Sequence, residues 1–189
     1  MNNQTDPLAA PRQAMLEEYK SLRDETLKRV EFRYQIFNLT LIVAGSLWTI
    51  GTAKPDLYSV LLLYPILSFF FSAAFVYNSI LLVQIGAYIR EKIEPSGVVQ
   101  LGWATYLKDK YKGIEPFEIV STYGLFLGTQ IVSLLAYFNF APPFSTLPRA
   151  TQILIWLGFI AVALTLLTLL YPLIYHKRVL AVSQASPPK

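Results

Sequence analysis

The chain has 189 residues, a net charge of +4, no cysteine and one histidine, His176. It is 54% hydrophobic and 15% charged, whereas a soluble domain carries about a quarter charged residues. Disulfide frameworks and thiolate metal sites are excluded, and an ordinary soluble globule is disfavoured. No charge lies between Asp56 and Arg90, and beyond Glu118 the next charges are Arg149 and Lys177. Blocks of that length read as membrane spans.

Residues 1–11 read as a loose polar tail. From 12 to 35 the apolar positions Leu16, Tyr19, Leu22, Val30 and Tyr34 recur at helical spacing, with Thr26 in the same stripe. Asp24 with Lys28 and Glu25 with Arg29 are i,i+4 pairs of favourable polarity. No glycine or proline separates this amphipathic helix from the first apolar run, so one rod is expected to enter the membrane from water. Span 1 is placed at 36–53 and ends at Pro55-Asp56. The first thirty-five residues show no secretory signal pattern, and span 1 is expected to act as an uncleaved anchor.

Span 2 is placed at 57–87. That is about 45 Å of helix against a hydrocarbon core of about 30 Å. It must tilt, kink at Pro65, or project, and projection is the favoured reading, with Tyr88–Glu94 as the wet end. Residues 88–116 form a loop in which Pro95-Ser96-Gly97 breaks the chain. A short amphipathic helix follows, with Val99, Trp103, Tyr106 and Leu107 on one side and Lys108, Lys110 and Lys112 after it. Pro116 suits the first turn of span 3, at 117–140. Span 4 is placed at 152–175, and 176–189 read as a tail. The fold class is therefore all-α: a polytopic membrane protein of four spans with cytoplasmic helical extensions.

Orientation follows from the cations. Fourteen of the sixteen Lys and Arg lie in the N-terminal region, the 88–116 loop and the C-terminus, and only Lys54 and Arg149 lie in the other two loops. The positive-inside rule then puts both termini and the long loop in the cytoplasm, and four spans have the matching parity.

The chemistry is sparse. No metal-binding motif, nucleophile elbow or phosphate loop is present, so neither an enzyme nor a metal or cofactor is expected. No span has a charged residue in its interior, which disfavours a coupled carrier. Neutral polar residues do stand there, and Asn78, Gln130, Thr129 and Ser72 are the candidates for lining a pore. The plainer reading is that each bonds a neighbouring helix. Asn78 and Gln130 stand out because an amide is costly to leave unpaired in lipid.

Gly124 and Gly128 form a GxxxG, with Ser68-x-x-x-Ser72 as an analogous face on span 2. Packing within one bundle is the plainer reading and oligomerisation the sharper one. The tryptophans and tyrosines near span ends, Trp48, Tyr64, Tyr137, Trp156 and Tyr171 among them, read as an interfacial belt. Arg33, Arg90, Lys92, Lys108, Lys110 and Lys112 form a basic set. It suits lipid headgroups, or an acidic ligand such as a nucleotide, a short nucleic acid or an acidic protein.

The segments LLVQIGAYIREKIEP (Leu81–Pro95) and LGWATYLKDKY (Leu101–Tyr111) carry a resemblance to small bacterial four-span membrane proteins that act as effectors in anti-phage defence. The resemblance implies a membrane effector in which a signal opens a pore or breaks the membrane potential. The missing chemistry, projecting helices and clustered cations lead to the expectation of an inner-membrane homo-oligomer that conducts ions or breaks membrane integrity, gated through its basic base. The alternative is a non-conducting scaffold or anchor that recruits a cytoplasmic partner.

Overall fold

The computed structural model describes residues 9–96 and 115–185, and among them the chain is all-α. It has four helices long and apolar enough to cross a membrane. In hydrocarbon every backbone group must be satisfied within its own segment, and a helix does this. The proposed loop helix, with Trp103, Lys108, Lys110 and Lys112, lies outside the described residues, as do 1–8 and 186–189.

α1 runs unbroken from Ala9 to Ala53. Its 45 residues span about 67 Å, more than twice the hydrocarbon thickness, so only part of it can be immersed. Lys54 is extended (φ −134°, ψ 123°), the conformation that a following proline imposes.

The next span begins at Leu57, as the sequence suggested, but its first turns are not α-helical. Pro55–Leu62 is a 3-10 helix, and α2 runs from Leu63 to Tyr88. Pro65 is the reason in the chain itself. It has no N–H to give the Leu61 carbonyl, so the i→i−4 ladder cannot be closed across these residues. Pro65 therefore stands in the first turn of α2, where a proline is tolerated. After α2 the chain makes a π turn at Ile89–Ile93 and a 3-10 turn at Glu94–Ser96.

The third span is also divided. α3 (Glu115–Tyr123) and α4 (Thr129–Phe140) flank a π turn at Gly124–Gly128. Ala141 is extended ahead of Pro142-Pro143, which ends the helix. A 3-10 turn (Phe144–Thr146) leads to α5 (Arg149–Ala185). Gln152 fastens that turn by donating its side-chain amide to the carbonyls of Leu147 (3.1 Å) and Phe144 (3.3 Å). α5 continues through His176-Lys177-Arg178 to Ala185, so the segment read as a tail is helical up to that residue.

The chain forms two compact units. The first comprises Met1–Tyr34 and Asn78–Phe117. Within it Leu16, Tyr19, Leu22 and Val30 are half-buried, and Ile89 and Ile93 are buried. The second comprises Gln35–Tyr77 and Glu118–Lys189. Its core gathers Leu61, Leu62, Leu134, Tyr137, Leu147 and Ile155, with Trp48 and Tyr58 packed against them. A second nucleus is aromatic: Phe126 lies 5.9 Å from Phe37 and 5.7 Å from Phe75, ring to ring. Large apolar side chains face outward, as lipid requires: Ile42, Phe70, Leu135, Trp156 and Leu167 are all exposed.

Candidate functional site

Several polar side chains of the second unit are buried and meet partners across helices, whereas Asn38, Ser46, Thr49 and Asn139 are exposed. Ser133 of α4 donates to the Leu61 carbonyl at 2.9 Å. This is the carbonyl that Pro65 cannot bond, so a hydroxyl from a neighbouring helix replaces the missing backbone donor. Gln130, one turn earlier, donates through Nε2 to Thr165 Oγ1 on α5 at 2.9 Å, and both residues are fully buried. Thr129 shares a 2.6 Å hydrogen bond with Tyr64 OH and also bonds the Leu125 carbonyl. Ser68 reaches the Phe126 carbonyl at 3.5 Å. Both carbonyls belong to the π turn at Gly124–Gly128.

Other buried hydroxyls stay on their own helix. Thr40 donates to the Ile36 carbonyl and Ser72 to the Phe69 carbonyl. Ser72 is thus buried but contributes no link between helices through this bond. Tyr123 closes the lower part of the seam by donating to the Leu169 carbonyl at 2.9 Å.

Asn78 belongs to the first unit. Its Nδ2 donates to the Arg29 carbonyl (2.7 Å), and its Oδ1 accepts from Arg29 Nη1 (3.3 Å). Both ends of the amide are therefore used against one residue of α1, and only 3% of Asn78 is exposed. Arg29 in turn is ion-paired with Glu25, one turn back. Tyr88 OH donates to Glu18 Oε1 at 2.7 Å, a second tie between the same two stretches. Arg33 and Arg90 are half-buried and Lys92 is exposed.

The two glycines do not mark a close approach within the chain. A Cβ added at Gly124 or Gly128 would meet nothing within 4 Å. The tight site is Gly51, which sequence reasoning did not single out: a Cβ there would come within 2.6 Å of Leu61 Cγ. Two members of the expected aromatic belt also sit elsewhere. Tyr64 and Tyr137 are fully buried, because their rings fill the bundle interior, whereas Trp156 and Tyr171 face outward.

Among the described residues, three buried polar atoms of this second unit make no hydrogen bond: Gln130 Oε1, Tyr137 OH and Trp48 Nε1. What the seam can do chemically is bind small neutral hydrogen-bonding groups. Among the described residues no three His, Asp or Glu side chains come together to hold a metal ion. No family model matches the chain, and neither a curated protein nor a solved structure is similar to it.

Proposed function

We propose that the protein is an oligomeric membrane effector that conducts ions or breaks membrane integrity, gated through a basic cytoplasmic base, and that it is not an enzyme. One observation carries this reading. The spans carry a buried seam of hydroxyls and amides (Ser133 to Leu61, Gln130 to Thr165, Tyr64 to Thr129), while the large side chains on their outer surfaces are apolar. A bundle with a polar seam and a lipid-compatible exterior is one that water can enter when its helices part. On this reading Arg90 and Lys92, in the π turn at the end of the second span, sense an acidic signal or anionic lipid. On this reading both termini are cytoplasmic and the setting is a bacterial inner membrane. Membership of the anti-phage effector type is part of the same proposal.

The test is the membrane potential of cells after induced expression, followed with a voltage-sensitive dye against an unrelated four-span protein. Depolarisation beyond the control is expected. Arg90→Glu with Lys92→Glu should then change its onset, and unchanged leakage in that variant would sink the basic gate. An unchanged potential at equal expression favours the scaffold reading. That reading draws on a charged, solvent-open trough along α1 lined by Glu17, Lys20, Ser21, Asp24, Glu25 and Lys28, a surface suited to a polar protein partner.

A further inference from the structure

Gln130, Ser133 and Tyr137 recur at three and four residues along α4, so they share one face. Each is buried: Gln130, Ser133 and Tyr137 are all 0% exposed. The stripe runs about 10 Å along the helix at 1.5 Å per residue. Ser133 is satisfied by the Leu61 carbonyl, but the residues at both ends are not. Gln130 gives one of its two amide N–H groups to Thr165 and keeps a bare acceptor, Oε1. Tyr137 keeps a hydroxyl that can both donate and accept. Trp48, packed against the same core as Tyr137, keeps an indole N–H donor.

Native interiors rarely leave such groups unpaired, since each costs the desolvation of a polar atom without a bond in return. These atoms are closed to the outside. A lipid headgroup or a side chain of a second copy cannot reach Gln130 or Tyr137, which have no exposed surface, nor the covered Nε1 of the part-buried Trp48, so the occupant must be small enough to live inside the bundle. It must also offer donors to Gln130 and acceptors to Trp48, and Tyr137 takes either. A cation offers no acceptor for the indole N–H, and no carboxylate stands inside these spans to offset its desolvation. Water offers both, and a buried water typically makes about three such bonds.

The geometry points to a buried water-binding stripe inside each copy, along the face of α4 that carries Gln130, Ser133 and Tyr137, with Trp48 Nε1 as a further donor. Water binding here stands apart from the pore reading. Only the further step, that this stripe is the path wetted on opening, rests on it. The conducting path then runs through the interior of a protomer and not between protomers.

The experiment is water-edited solid-state NMR on the full-length protein in lipid bilayers, with labelled Gln, Tyr, Trp and Phe. Magnetisation from water is expected to reach the Gln130 side chain and the Tyr137 ring several-fold faster than the fully buried Phe126 ring. Transfer to both as slow as to Phe126 overturns the site. Because this reading uses the unmodified protein, it does not depend on a variant folding. A second arm measures ion flux in proteoliposomes for the wild type and for Gln130→Leu and Tyr137→Phe. Wild-type flux reduced several-fold in both variants supports the stripe as the path. Wild-type flux unchanged in both variants, with wet side chains, overturns the stripe as the path. Wet side chains with no flux in the wild type overturn the conduction step and leave the water site standing.

Discussion

Replacing Ser133 with alanine removes a single hydroxyl from a fully buried position and leaves the Leu61 carbonyl without its 2.9 Å donor. The full penalty for a buried, unsatisfied acceptor is about 1–3 kcal/mol. Interhelical side-chain hydrogen bonds in membranes run lower, about 0.6 kcal/mol on average and up to about 1.7. Two features of the structure decide between the ranges. Pro65 cannot supply the backbone donor that would otherwise meet this carbonyl, which argues for the higher range. The Leu63 N–H, however, already leans on the same oxygen, which argues for less than the full penalty. The expected cost of Ser133→Ala is about 1 kcal/mol.

The explanation makes a sharper demand in a double-mutant cycle. Pro65→Ala restores an N–H that can reach the Leu61 carbonyl, so Ser133→Ala should lose at least about half its cost in that background. The coupling would be about 0.5 kcal/mol or more. Any packing loss from removing the buried proline ring is common to both sides of the cycle and cancels. Reversible unfolding in bicelles, by steric trapping or denaturing detergent, measures all four corners. A Ser133→Ala cost that is the same with proline or alanine at position 65 would refute the idea that the hydroxyl stands in for the missing backbone donor.

Gly51→Ala should destabilise the bundle by about 1–3 kcal/mol, because its Cβ would overlap the buried Leu61 side chain. Leu61→Val should relieve part of that loss in the same unfolding assay. Gly124→Ala and Gly128→Ala should leave unfolding within about 0.5 kcal/mol of the wild type, since their surroundings are open. If either changes the mass seen by native mass spectrometry without changing stability, that face meets another copy. Asn78→Leu should cost about 1–3 kcal/mol by stripping two hydrogen bonds from Arg29. Hydrogen exchange should quicken at residues 27–31, and unchanged protection there would show that the amide does not hold α1.

The span count was legible because charge-free blocks of twenty or more residues have few other uses, and prolines at 55, 142, 143 and 148 punctuate them. The length of α1 has a similar cause: from Gln13 to Ala44 no glycine or proline interrupts the chain. The winding was less legible. The 3-10 stretch depends on a carbonyl four residues before Pro65, and the π turns at 89–93 and 124–128 have no spacing signature of their own. Asn78 and Gln130 drew notice as amides in apolar runs, but their partners, Arg29 and Thr165, follow from how helices meet in register. Tyr64 and Tyr137 were misplaced for the same reason. A tyrosine near a span end can face the interface or the interior, and only the packing distinguishes them.

The π turn at Gly124–Gly128 has a consequence for how this gene can change length. A π turn amounts to one residue more than an α-helix needs in that stretch. Deleting one residue there should return the span to continuous α-helix while keeping both flanks in phase, so Tyr123 still reaches Leu169 and Gln130 still reaches Thr165. The same deletion within α4 would turn everything beyond it by about 100° and carry the polar face into lipid. In a scan of single-codon deletions across this span, Gly124–Gly128 should therefore be the tolerant window.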